Sequence, residues 1–314
     1  MNLKDQTRAK GILERMQETG RIPGSVLIFG PSGVGKTVAS LDLAKGILCN
    51  RSVPWGCGEC ISCKHMDHVI SLILGDDWEE ISVYSEEGGR KTFLYLMGDH
   101  PDFIFLPPHG ASIRIDQIRA VREFSYTKPA LSRGKVVVID RADLMTRESA
   151  NALLKVLEEP PAKTHFLLTA ESPGNLPPTI LSRTHQVEFV PLDRETFGEL
   201  TGSPDLYELS GGSVTKAKIL RERTDLISMV EDFLSLEPLR VYQTAKKVDD
   251  MDTAGKDLFF QLLEDRVYGM FREGRIGYDD LDAIMRRILE IREGIPRGLR
   301  VDLALFSIYA LMEV

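Results

Sequence analysis

No stretch of this 314-residue chain approaches the ~20 uncharged apolar residues of a membrane-spanning helix, which excludes a helical membrane protein. Positive charge is short as well. Thirty-nine Lys and Arg stand against 47 Asp and Glu, a formal net charge of −8, which argues against a protein that coats nucleic acid by itself. Contact with DNA is therefore expected only through a local basic face or through partners. The opening residues, MNLKDQTRAKGILERM, are too charged for a secretion signal, so a cytoplasmic location is expected. Internal repeats and low-complexity tracts are absent too. With 43% apolar and 27% charged residues, the chain should be globular, bury a sizeable core and hold two or three domains.

Cysteine is scarce, but all four lie within fifteen residues: Cys49, Cys57, Cys60 and Cys63. In a cytosolic chain thiols stay reduced, so such clustering points to metal rather than disulfides. The C-x2-C-x2-C core presents three thiolates in a short loop, and Cys49 can complete a tetrahedron around zinc. Four sulfurs leave no open coordination position, hence a structural site. His65 is read as an ordinary surface residue.

What the chain does have is a phosphate-binding signature. Gly30-Pro31-Ser32-Gly33-Val34-Gly35-Lys36-Thr37 fits G-x-x-x-x-G-K-[ST] and lies between the apolar run Val26 to Phe29 and a helical segment, Val38 to Leu48. Glycines let successive N–H groups point at phosphate oxygens, and the following helix adds its positive end. Lys36 would reach the β and γ phosphates of ATP or ADP, and Thr37 would bind Mg²⁺.

Around this loop the pattern alternates strands and helices. A leading helix is expected over Leu3 to Glu18. Continuous apolar runs at Val26–Phe29, Phe103–Leu106, Val136–Ile139, Phe166–Thr169 and Val187–Val190 predict an α/β fold with a five-stranded parallel sheet covered on both faces. Asp140 ends the third run, where ligands bind in such sheets, and is the candidate for holding Mg²⁺ through water opposite Thr37. Ile113 to Phe124 should be helical, and Thr146 should cap another helix that Pro160-Pro161 stops. Val69 to Asp99, with Asp76-Asp77, Glu79-Glu80 and Glu86-Glu87, reads as an inserted, partly exposed acidic excursion turning at Gly88-Gly89. The domains expected are a core at 1–191, a small helical lid at 192–223, with short helices over Thr196–Leu209 and Ser213–Arg223, and an all-helical domain at 224–314.

The phosphate loop, the cysteines, His100-Pro101-Asp102, Val138-Ile139-Asp140, Asn151-Ala152-Leu153-Leu154-Lys155, Glu158-Glu159-Pro160-Pro161 and Leu181-Ser182-Arg183 occur in that order. Together they resemble the AAA+ subunits of bacterial DNA polymerase III clamp loaders, over residues 1 to about 190. The resemblance implies an AAA+ P-loop core, a lid and an oligomerising collar. It also implies a hetero-pentamer with motor (gamma/tau) and delta subunits that loads a sliding clamp onto primed DNA. Arg183 corresponds to the arginine that reaches across an interface to a neighbour's ATP, where its planar charged fork binds the transferring phosphoryl oxygens.

Three departures set the expected class. Motor subunits carry Asp-Glu where this chain has Asp140-Arg141, and a guanidinium cannot act as general base. Their lid arginine is unmatched after Gly212-Ser213, with Lys216 out of register. The threonine expected after the fourth strand reads as Ala170. The pattern resembles delta-prime subunits and implies nucleotide binding that is at most weak to moderate, no independent ATPase activity, and an arginine donated in trans. An ATP-hydrolysing motor, with Asp143 or another acid in place of the missing glutamate, is the alternative.

Overall fold

The β-branched and aromatic runs build a sheet because each can bury both faces. In the computed structural model, which describes residues 5–75, 77–87, 89–110, 112–222, 225–295 and 298–312, the strands are β1 (Ser25–Phe29), β2 (Ser82–Glu87), β3 (Arg90–Leu96), β4 (Phe103–Leu106), β5 (Lys135–Ile139), β6 (Thr164–Ala170) and β7 (His185–Glu188). Among the described residues they form one sheet in the order β2-β3-β4-β5-β6-β1-β7. The strands β4, β5, β6, β1 and β7 are mutually parallel, as expected from their runs.

Alternation along each strand sorts side chains into two layers. Val26, Ile28, Val136, Val138 and Leu167 face one cluster, shared with helices α1 (Thr7–Glu18), α2 (Lys36–Leu48) and α3 (Ile61–Leu74). Leu27, Val137, Ile139, Phe166 and Leu168 face the other, shared with α4 (Ile115–Tyr126) and α5 (Arg147–Glu158). Each fully buried side chain of this kind stabilises the fold by about 1.5–3 kcal/mol. Thr146 caps α5, its hydroxyl accepting from the Ser149 N–H at 3.2 Å.

The acidic insertion corrects the expected strand count. Its first part completes α3, with Val69 and Ile73 buried, and its second part is an antiparallel hairpin, β2–β3, joined to β4 through Leu96 and Phe105. Phe93 and Leu96 of β3 enter the core, so the segment widens the sheet instead of leaving it. Asp76 and Gly88 lie outside the described residues, as does Leu3 at the start of the expected leading helix. Gly89, at the turn, has φ of 78°.

The remaining helices are α6 (Pro178–Leu181), α7 (Arg194–Thr201), α8 (Tyr207–Ser210), α9 (Val214–Glu222), α10 (Asp225–Leu234), α11 (Pro238–Asp249), α12 (Thr253–Arg272), α13 (Tyr278–Gly294) and α14 (Val301–Met312). Two compact units divide the chain, Met1–Thr196 and Phe197–Val314. Within the second unit, Leu220 of α9 joins the cluster built by α10 to α14. Arg223, where the second lid helix was expected to end, and the boundary between lid and final domain fall on residues outside those described. No helix among the described residues is long and apolar enough to cross a membrane.

Candidate functional site

The phosphate loop leaves β1 at Gly30, whose N–H donates to the Ala170 carbonyl at 3.2 Å. Gly30 has φ of 148°, and a Cβ there would lie 2.1 Å from the Phe189 carbonyl oxygen, a backbone atom that cannot swing aside. Gly30→Ala is expected to destabilise the fold by about 2–4 kcal/mol, read by urea denaturation. Gly33 and Gly35 also adopt positive φ, 71° and 95°, and curl Pro31, Ser32 and Val34 around the start of α2. Lys36 is buried, and its ammonium donates to the Gly30 and Pro31 carbonyls at 2.7 and 2.6 Å. Burial pushes its pKa down, opposed by Glu171, Asp140 and Asp143.

Three strands place the remaining polar groups. Asp140 follows β5, and its Oδ1 accepts from the Thr37 hydroxyl at 2.8 Å and from the Thr169 hydroxyl at 2.7 Å. The Arg141 N–H donates to Thr169 Oγ1 at 2.9 Å, while Arg141 takes a left-handed φ of 52° and stays exposed. The polar side chain of β6 at this site is thus Thr169, whereas Ala170 lies in the opposite layer with Leu168. A lone threonine near the carboxyl end of an apolar run was the available signal. Asp143 Oδ1 is buried with no hydrogen-bond partner among the described residues. The hydroxyl of Thr37 and carboxylate of Asp140 together could hold a hydrated Mg²⁺.

Arg183 stands at the other end of the sheet. It precedes β7, whose His185 pairs with Val26, while the loop departs beyond Phe29, which pairs with Glu188. The four residue steps from Val26 to Gly30 correspond to ~13 Å of strand, so Arg183 is turned away from its own phosphate loop. Its guanidinium pairs with Glu158 at 2.8 Å and donates to the Thr179 carbonyl at 2.9 Å. In the second unit, Lys216 lies near enough to Asp265 to oppose the upward push of burial on that carboxyl.

The four cysteines converge, their sulfurs all within 4.8 Å of one another and Cys57 and Cys63 at 3.9 Å. A tetrahedral zinc site with bonds of ~2.3 Å requires sulfur–sulfur edges of ~3.8 Å, so these side chains fit the metal. The Cys60 N–H donates to Cys57 Sγ at 3.3 Å and the Cys63 N–H to Cys60 Sγ at 3.4 Å. Backbone N–H groups of Cys60 and Glu59 hold Cys57 down to about 6, whereas burial lifts Cys63 to about 12. Cys49, at the end of α2, is opposed by burial but held low by the N–H groups of Val53, Cys57 and Arg51. His65 bonds the Asp99 carbonyl and stays out of the cluster.

Two motif residues prove to be braces beneath this cluster. Asp102 is fully buried and accepts from the N–H groups of Ala130, Leu131 and Ser132, each at 2.7 Å. His100 Nε2 meets the Ser62 hydroxyl at 2.8 Å, and Ser62 donates to the Leu48 carbonyl at 2.7 Å, tying α3 to α2. Burial lowers the His100 pKa to about 4. A folded value below the unfolded one means stability is full above pH ~6.5 and falls as pH drops through the window from ~6.5 to ~4. The expected loss is about 3 kcal/mol, and His100→Gln should flatten that part of the stability–pH curve measured by denaturant titration.

Residues 5–72 and 89–193 match the family described as DNA polymerase III, delta subunit, which covers more than half of the chain. The chain is 29% identical over 295 residues to DNA polymerase III subunit delta' of Bacillus subtilis (strain 168), covering 92% of this chain and 78% of that one. It is 35% identical over 163 residues to subunit delta' of Pseudomonas aeruginosa, covering 51% of this chain and 41% of the relative. It is 33% identical over 177 residues to subunit tau of Salmonella typhimurium, 56% of this chain but only 23% of that protein. A DNA polymerase III gamma subunit-related protein of Thermotoga maritima shares the fold, with a TM-score of 0.51 at 20% identity over 97% of this chain and 98% of that one. By the matched residues, the chain belongs to the DNA polymerase III delta subunit family as a delta-prime-like clamp-loader subunit.

Proposed function

We propose that this chain is a non-hydrolysing subunit of a cytoplasmic DNA polymerase III clamp loader, taking part in placing the sliding clamp on primed DNA. Its partners are motor (gamma/tau) and delta subunits in a hetero-pentamer, with residues 192–223 as a lid and 224–314 as the collar that holds the ring. Arg183 acts in trans on a neighbour's ATP. The observation that carries this reading is the position of Arg183 at the amino ends of the strands, opposite the chain's own phosphate loop. Lys36, Thr37 and Asp140 bind nucleotide with Mg²⁺ weakly to moderately, while the absence of a glutamate beside Asp140 leaves the attacking water without a base. Zinc on the four cysteines is structural.

A second reading, an ATP-hydrolysing motor, is favoured by the unpartnered buried oxygen of Asp143 and its influence on Lys36. The deciding measurement is ATP hydrolysis by the chain alone, then by motor and delta subunits with and without it, in the presence of clamp and primed DNA. The expected result is silence alone and raised turnover in the assembly. Turnover by the isolated chain that Lys36→Ala abolishes would establish the motor instead.

A further inference from the structure

A cavity of about 760 Å³ opens at the end of the sheet remote from the phosphate loop. It is bounded by Ile22 before β1, Gly134 before β5, Lys163 before β6, and the cysteine loop at Ser52 to Pro54. Its size falls within the roughly 300–1,000 Å³ of ordinary ligand pockets.

The lining is chemically one-sided. Its carboxylates number none, while Lys128, Arg133 and Lys163 all contribute cations, in a chain whose net charge is −8. None of the three is within ion-pair distance of an acid among the described residues. Between the cations the aliphatic groups of Ile22, Ile47, Val53 and Pro129 alternate with the uncharged polar side chains of Gln17, Ser52 and Ser132 and the His165 ring. No Phe, Tyr or Trp lines the cavity, which leaves a nucleobase the Arg133 guanidinium and the partly buried His165 ring, bonded to the Pro23 carbonyl at 3.0 Å, to stack on. A basic rim over a partly aliphatic floor complements carboxylates interspersed with aliphatic side chains.

The walls are pinned in place. Lys163 holds a positive φ of 66°, and its carbonyl accepts from the Lys135 N–H at 2.8 Å. A Cβ at Gly134 would fall 2.5 Å from that same carbonyl oxygen, so the two loops touch backbone to backbone. On the other side Arg133 reaches the Ser52 hydroxyl at 3.3 Å, and the Trp55 N–H donates to Gln17 Oε1 at 2.8 Å.

We propose that this cavity is a docking site for an acidic, aliphatic-containing peptide segment of a partner protein. The cysteine loop then has a use beyond its own stability, since it supplies one wall. This proposal is independent of nucleotide binding and of Arg183.

The test titrates the full chain into a fluorescein-labelled peptide of three Asp-Asp-Leu repeats, with a Lys-Lys-Leu peptide and labelled oligothymidylate as comparisons. Saturable, salt-sensitive binding of the acidic peptide alone is expected. Lys128→Glu/Arg133→Glu/Lys163→Glu should weaken it about tenfold or more, because each rim charge contributes modestly. All three side chains are exposed, so melting should be unchanged; Val53→Asp, altering only the wall, should weaken binding as well. Absence of saturable binding, binding unchanged in both variants, or preference for oligothymidylate that the triple variant removes would each overturn the proposal, the last making this a nucleic-acid site.

Discussion

Arg183→Ala is expected to slow ATP turnover by an assembled clamp loader by about 10³-fold or more, the lower end of what arginine fingers contribute elsewhere. The loss should appear at saturating ATP, because in the proposed role the guanidinium would act on charge that develops on the transferring phosphoryl group and not on ground-state binding. The chain itself should fold normally. The Arg183–Glu158 pair is largely at the surface, its partners 34% and 51% exposed, and such pairs contribute about 0–1 kcal/mol. Arg183→Lys should recover little, since an ammonium lacks the planar fork that spans two oxygens. Steady-state hydrolysis by the reconstituted assembly, with clamp and primed DNA, measures all of this; wild-type turnover from the alanine variant in a complete assembly would remove the trans role.

Cys60→Ser is expected to abolish stoichiometric zinc and to lower stability together. Cys60 also caps α3 by accepting from the Cys63 N–H, a role a serine hydroxyl keeps, so the substitution removes the ligand and spares the cap. Zinc gives small peptide sites about 10–16 kcal/mol, but here Trp55, Ser62 and His100 also tie the module to the core. A loss of about 3 kcal/mol is therefore the expected residue of that larger figure, equivalent to roughly 6–12 °C in melting temperature for a unit of this size. A chelator should bring the wild-type chain to the same point while leaving the variant unmoved. Metal analysis and thermal melting on the same samples decide it: full zinc content or unchanged melting in Cys60→Ser would contradict a four-sulfur structural site.

Much of the site was legible because its chemistry is local. Gly30 to Thr37 would hold phosphate through consecutive backbone groups, and Cys57, Cys60 and Cys63 would hold metal through a loop of a few residues, so spacing alone announces both candidates. The five parallel strands were equally open to reading, since burial on both faces demands continuous apolar runs such as Val136 to Ile139. The β2–β3 hairpin was not. Its strands are half-exposed and carry Glu86, Lys91 and other charged groups, so its composition matched a solvated loop until Phe93 and Leu96 were placed against the core.

Tertiary structure decided what depended on facing and order. Thr169 and Ala170 are neighbours, yet the strand period of two sends one to Asp140 and the other to the opposite layer. Arg183 follows the phosphate loop in the same strand-and-helix succession, and only the pairing of His185 with Val26 put it at the far end of the sheet. The basic cavity draws its walls from segments scattered between Gln17 and His165, of which only the cysteine loop at Ser52 to Pro54 belongs to a motif. Residue types and short spacings, which are properties of the chain itself, determined the phosphate loop, the cysteine cluster and the sheet. Which side chains meet across distant segments was set by strand order and pleat, because those exist only once the sheet has formed.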